Sequence, residues 1–179
     1  MSTSDTVIKL AELTGKAAAK AQPPFVLTDA ERHEIEHEVA HYPDGRAASI
    51  GALKIIQKHR GWVPDGALEP VAALLGIGAA ELEGVATFYS LIFRKPVGRH
   101  VIKVCDSISC FLTGYEDVKA ALQKTLGIGY GQTTADGRFT LLPICCLGAC
   151  DKGPTLMIDD DLHGDVVPQN VAALLENYK

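Results

Sequence analysis

Apolar positions recur every three or four residues over the first half of the chain, and the period changes after residue 95. Ile35, Val39 and Tyr42 follow a capping box of Thr28 and Glu31, which predicts a first helix ending near Pro43. Ala47, Ile50, Leu53 and Ile56 predict a second helix across Asp44 to Arg60, stopped by Gly61. Leu68, Val71, Leu74 and Leu75 mark a third, ending at Gly76; it either begins near Pro70 or carries an earlier turn kinked there. A fourth segment runs from Ala79 to about Ile92, with Gly84 as a break point. Its aromatic pair, Phe88-Tyr89, reads first as core and second as a docking surface.

Beyond a polar hinge at Arg94-Lys95-Pro96, β-branched residues from His100 to Val104 predict a strand running into Cys105. Gly114 to Leu126 reads as an amphipathic helix. Gln132 to Thr134 and Arg138 to Leu142 flank the hairpin signal Asp136-Gly137, and the second strand leads into Cys145-Cys146. Short strands at Thr155 to Ile158 and Leu162 to Val166, then a helix from Pro168 to Tyr178, complete an α/β arrangement with a small mixed sheet. The glycines of Gly127-Ile128-Gly129-Tyr130-Gly131 read as a loop, because a helix precedes them and no strand does. Residues 1–26 read as a mobile leader, 27–95 as a helical unit and 96–179 as the sheet-bearing unit.

Composition narrows the function classes. Acidic residues outnumber basic ones, 22 to 17, for a formal charge of −5, so there is no basic footprint for nucleic acid. The longest apolar run, Val71 to Ala80, is too short to span a bilayer and no secretion signal is visible, which predicts a soluble, cytoplasmic chain. His33-Glu34-Ile35-Glu36-His37 matches the zinc-protease pattern formally, yet His33, His37 and His41 share a stripe with glutamates and read as a solvated face.

The chemistry is carried by sulfur. All five cysteines fall in two clusters, Cys105 with Cys110 and Cys145-Cys146 with Cys150, each at the end of a predicted strand. An odd cysteine count without a secretion signal argues for metal or redox chemistry over a disulfide framework. Spacings of four and three intervening residues are wider than the two-residue knuckle of structural zinc sites and suit a [2Fe-2S] cluster, with one pair of thiolates per iron. Small residues between the ligands, Ser107, Ser109, Gly148 and Ala149, let backbone N–H groups approach the sulfurs. In an extended segment Cys145 and Cys146 point to opposite sides, and Cys146 is the ligand chosen. Structural zinc and dithiol redox chemistry remain open on spacing alone.

These cysteines, with Gly84-Val85-Ala86-Thr87-Phe88-Tyr89, Arg138-Phe139-Thr140-Leu141-Leu142-Pro143 and Cys146-Leu147-Gly148-Ala149-Cys150-Asp151-Lys152-Gly153-Pro154, resemble the family of small [2Fe-2S] thioredoxin-like ferredoxin subunits of bacterial NADH:quinone oxidoreductase, respiratory complex I. The resemblance covers about Leu27 to Lys179. It implies an N-terminal helical bundle followed by a thioredoxin-like ferredoxin domain, one [2Fe-2S] cluster on Cys105, Cys110, Cys146 and Cys150, and no catalytic residue of the chain's own. It further implies docking, through the helical domain with Phe88 and Tyr89 as candidate contacts, on a flavoprotein partner that holds FMN and binds NADH. That would make the chain a peripheral component on the cytoplasmic face of the inner membrane. Similar chains serve as diaphorase components of NAD-linked hydrogenases and formate dehydrogenases, and a zinc-stabilised interaction module is the alternative of another class.

Overall fold

A computed structural model describes residues 25–179; the leader expected over 1–26 lies outside it apart from Phe25 and Val26. Phe25 packs on the helical core, with the Arg60 guanidinium 4.0 Å above its ring.

Helix α1 spans Asp29–Val39 and opens on the expected capping box: the Glu31 N–H donates to Thr28 Oγ1 at 3.2 Å and the Thr28 N–H to Glu31 Oε2 at 2.8 Å. Helix α2 covers Ser49–Arg60 and ends at Gly61, whose φ of 79° is the left-handed conformation glycine adopts without strain. It starts later than the periodicity predicts because residues 44–48 form turns. Its buried face is Ser49, Ala52, Leu53 and Ile56, while Ile50 is exposed.

A 3-10 turn, Asp65–Ala67, runs directly into α3, Leu68–Leu75. Pro70 therefore sits inside the first turn, where a missing N–H costs no intrahelical bond. Helix α4, Ala79–Phe88, passes through Gly84 unbroken and stops where Tyr89 turns extended. Ile35, Leu53, Ile56, Val63, Val71 and Leu82, each without accessible surface, anchor a core shared by these four helices. Residues 91–94 are fastened to it: the Val63 N–H donates to the Phe93 carbonyl at 2.8 Å, the Phe93 N–H to Gln57 Oε1 at 2.6 Å, and Arg94 Nη1 to the Val63 carbonyl at 2.8 Å.

The second half builds a five-stranded mixed sheet ordered β2-β3-β1-β4-β5. Its strands are β1 (His100–Cys105), β2 (Gln132–Thr133), β3 (Phe139–Ile144), β4 (Leu156–Ile158) and β5 (Asp161–His163). The central pair, β1 and β3, is parallel, and its register sets Cys105 opposite Ile144. All other pairings are antiparallel. A short helix α5, Ile108–Leu112, and a longer α6, Tyr115–Leu126, follow β1, and α7, Val171–Glu176, closes the chain.

Alternation along β1 turns Ile102 and Val104 to one face. There they join Val118 and Leu122 of α6, Val171 and Leu175 of α7, and Leu141, Leu156 and Ile158 in a second core. The hinge enters the sheet at Gly98, whose N–H donates to the buried Thr140 hydroxyl at 2.6 Å; a Cβ there would come within 2.9 Å of the Phe139 backbone.

Candidate metal centre

Parallel pairing of β1 and β3 brings the two cysteine clusters to one edge of the sheet. Cys105 closes β1, and Cys145 follows directly after Ile144, its register partner. Two backbone bonds lock this junction: Asp106 N–H donates to the Ile144 carbonyl and Cys105 N–H to the Thr155 carbonyl, both at 3.1 Å. Sites at the carboxyl ends of adjacent parallel strands are a recurrent consequence of α/β geometry, because the chain leaves each strand there in a free loop.

The pairs differ in exposure. Cys105 and Cys110 are 2% and 1% exposed and belong to the second core, whereas Cys145, Cys146 and Cys150 are exposed. Cys110 is carried inward by α5, which the sequence pattern does not predict; the loop between the first two cysteines is too short to show a helical period. Helix α5 also leaves Ile108 and Leu112 exposed at 68% and 77%, beside the site.

Burial pushes the Cys105 thiol up, but N–H groups of Ser107 and Leu147, with the Cys110 thiol and the Thr155 hydroxyl, outweigh it, and the net displacement is downward. Leu147 lies in the second cysteine loop, so that loop helps to lower the Cys105 thiol. On the second pair, Gly148 N–H donates to Cys146 Sγ at 3.3 Å, from a glycine with φ of 76°. Of the four small residues expected to bring N–H groups to sulfur, Gly148 does so at hydrogen-bond distance, and Ser107 helps to lower the Cys105 thiol. Ser109 and Ala149 instead offer carbonyls, to the N–H groups of Thr113 and Lys152.

Strand β3 ends at Ile144 and the chain bends at Cys145, so alternation does not distinguish Cys145 from Cys146 as expected. Of the two, Cys146 is the one whose sulfur accepts the Gly148 N–H. The Thr155 hydroxyl, 3.4 Å from Cys110 Sγ, is the contact that sequence reasoning misses; it reaches sulfur through tertiary placement and carries no motif.

No group of three or more His, Cys, Asp or Glu residues converges on a single-ion site among the described residues. His33, His37 and His41 are exposed, and Glu34 is taken up by Lys58 at 3.1 Å and His59 at 2.8 Å. Two cysteine loops at one sheet edge suit a binuclear iron–sulfur group, in which each iron takes two thiolates.

Paired cysteine loops at the carboxyl edge of a small mixed sheet, flanked by helices, define a thioredoxin-like ferredoxin. The thioredoxin-like [2Fe-2S] ferredoxin family matches residues 35–179, and the chain belongs to this family, in the branch formed by the E-subunits of NADH-quinone oxidoreductase. The E-subunit of Pseudomonas aeruginosa is 68% identical over 154 residues, which cover 86% of this chain and 93% of the relative. That of Escherichia coli K12 is 63% identical over 155 residues, 87% of this chain and 93% of the relative. Among solved structures, an NAD+-reducing [NiFe]-hydrogenase in the H2-reduced state superposes with a TM-score of 0.63 at 23% identity. The match covers 73% of this chain and 22% of that one, a likeness of fold alone. The group this family implies is a single [2Fe-2S] cluster.

Proposed function

We propose that this chain is the [2Fe-2S] electron-transfer component of the NADH-oxidising module of an NADH:quinone oxidoreductase. Cys105 and Cys110 hold one iron, Cys146 and Cys150 the other. The observation that carries the reading is the parallel β1–β3 register, which delivers both cysteine loops to one sheet edge, where the Asp106 N–H donates to the Ile144 carbonyl. When bound, the group supplies reversible one-electron transfer. The chain's own residues keep the first pair out of water, aim backbone N–H groups at the sulfurs, and fix the spacing of the two pairs through the Cys105 to Thr155 and Asp106 to Ile144 bonds.

Hydride chemistry belongs to the partner, a flavoprotein that holds FMN and binds NADH, and the chain acts as an enzyme only as part of that complex. Phe88, Tyr89 and Leu91, exposed at 80%, 44% and 45%, form the docking surface, because aromatic groups left in water at a helix end are typical interface anchors. In this reading the chain sits peripherally on the cytoplasmic face of the inner membrane. No single helix among the described residues is long and apolar enough to cross a bilayer.

Purification of the chain under anaerobic conditions, with assay of iron, acid-labile sulfide and zinc and an EPR spectrum after dithionite reduction, tests the assignment. Iron and sulfide in equal amounts, with a signal from one reduced binuclear centre, are expected. That signal should vanish in Cys146→Ser and persist in Cys145→Ser. Zinc without sulfide, and failure of iron reconstitution, would sink the reading in favour of a zinc-stabilised interaction module.

A further inference from the structure

Thr155 lies two residues beyond Gly153, where the second cysteine loop turns back into the sheet just ahead of β4. It is 2% exposed, one of the few polar side chains buried in the second half. Its carbonyl accepts the Cys105 N–H at 3.1 Å, which fixes its backbone against the first cysteine loop. Its Oγ1 sits 3.4 Å from Cys110 Sγ. The backbone at Gly153 passes beside Cys110: a Cβ there would lie in ordinary contact with Cys110 Sγ, at 3.6 Å, and would crowd Thr113 Oγ1 at 2.7 Å.

Between a thiol and a hydroxyl either atom can donate. Once Cys110 is a thiolate its sulfur has no proton to give, and the hydroxyl becomes the obligatory donor. A buried threonine is restricted at χ1, so the donor is held in place with little further loss of entropy. A proton donor on a ligand sulfur stabilises the reduced, more negative state more than the oxidised one.

On the reading that Cys110 is a cluster ligand, we propose that the Thr155 hydroxyl donates to the Cys110 sulfur and sets the reduction potential of the centre upward. Thr155 is thus a positioning residue, acting through Cys110. Gly148 reaches Cys146 through a backbone N–H, which substitution leaves in place. Thr155 is a point at which a side-chain change can tune the centre without altering a ligand.

The test uses the full chain as wild type, Thr155→Val and Thr155→Ser, each titrated potentiometrically with the reduced EPR signal as readout. Valine keeps the shape and removes the donor; serine keeps the donor. In Thr155→Val the ratio of reduced to oxidised centre at fixed potential should fall by about tenfold, a shift of about 59 mV for a one-electron couple, and Thr155→Ser should restore most of it. An unchanged midpoint in the valine variant, or an equal drop in both variants, overturns the inference and leaves the cluster assignment standing. If valine abolishes the cluster while serine retains it, the hydroxyl serves assembly instead, and the tuning role is likewise overturned. Absence of the signal in the wild type overturns this inference together with the cluster assignment.

Discussion

Glu31 shows how one side chain can serve two structures at once. As the third residue of α1 it closes the capping box on Thr28, and it is only 1% exposed because Arg60, at the end of α2, covers it. The Arg60 guanidinium is the main reason its carboxyl is held down at about 2, against the desolvation that burial imposes; the Thr28 N–H helps. A carboxyl whose folded value lies below its unfolded one, about 4.3, stabilises the fold fully above that value. The contribution is lost as pH falls from there through 2. We therefore expect Glu31→Gln to destabilise the chain by about 2–3 kcal/mol near neutral pH, somewhat less than a fully buried pair loses because Arg60 keeps partial exposure. The loss relative to wild type should shrink below pH 4, which denaturant melts at pH 7 and pH 3 would detect; an equal loss at both would refute the ionic account. Sequence reveals only half of this role. The capping box is local and legible at a spacing of three, whereas the partnership with Arg60 spans the α1–α2 hairpin and leaves no pattern in the chain.

At the scale of elements, helices with an amphipathic period are legible in the sequence and irregular ends are not. Helix α6 appears at Tyr115–Leu126 within a residue of its expected start, because Val118 and Leu122 repeat on one face and Gly127 stops it. Helix α4 ends at Phe88, short of the expected Ile92. Ile92 is buried from a separate segment held by Gln57 and Val63, so its apolar character mimics one more helical turn. The same confusion makes Phe88 and Tyr89 read first as core. Both stand in solvent, edge to face at 5.1 Å, an exposure that supports the docking role proposed for them. The cysteine pairs are legible because sulfur is rare and strands point at it. The α5 turn and the Thr155 contact are hidden by short loops and by tertiary closure. Replacing Phe88 and Tyr89 together by alanine should leave the melting temperature nearly unchanged, since exposed substitutions cost within about 0.5 kcal/mol. The same change should weaken binding to the proposed flavoprotein partner by about 30-fold or more, as loss of a hot spot does. Titration against the purified partner measures this, and unchanged affinity would move the docking surface elsewhere, with the apolar residues of α5 next in line.

Across the whole molecule, two cores share no residue, and the chain crosses from one to the other through Lys95-Pro96-Val97. Upstream, residues 91–94 are bonded into the helical core; downstream, Gly98 is bonded into the sheet. Each half has its own apolar interior, so each has the means to fold by itself. The sheet-bearing half is small, and small domains are marginal without a staple. On the proposed ligand set, four cysteines tied to one cluster would supply such a staple across two loops that otherwise meet through a few backbone bonds. We expect a fragment of residues 96–179 to hold iron and sulfide in equal amounts and to give the reduced EPR signal of the full chain, yet to lose affinity for the flavoprotein. We also expect chelation of its iron to lower its melting temperature more than it lowers that of the helical fragment 25–95, which owns no cysteine. A 96–179 fragment that folds but cannot hold iron would show that the helical half helps to form the cluster site. Division of labour between an electron-carrying half and a docking half would then have to be abandoned.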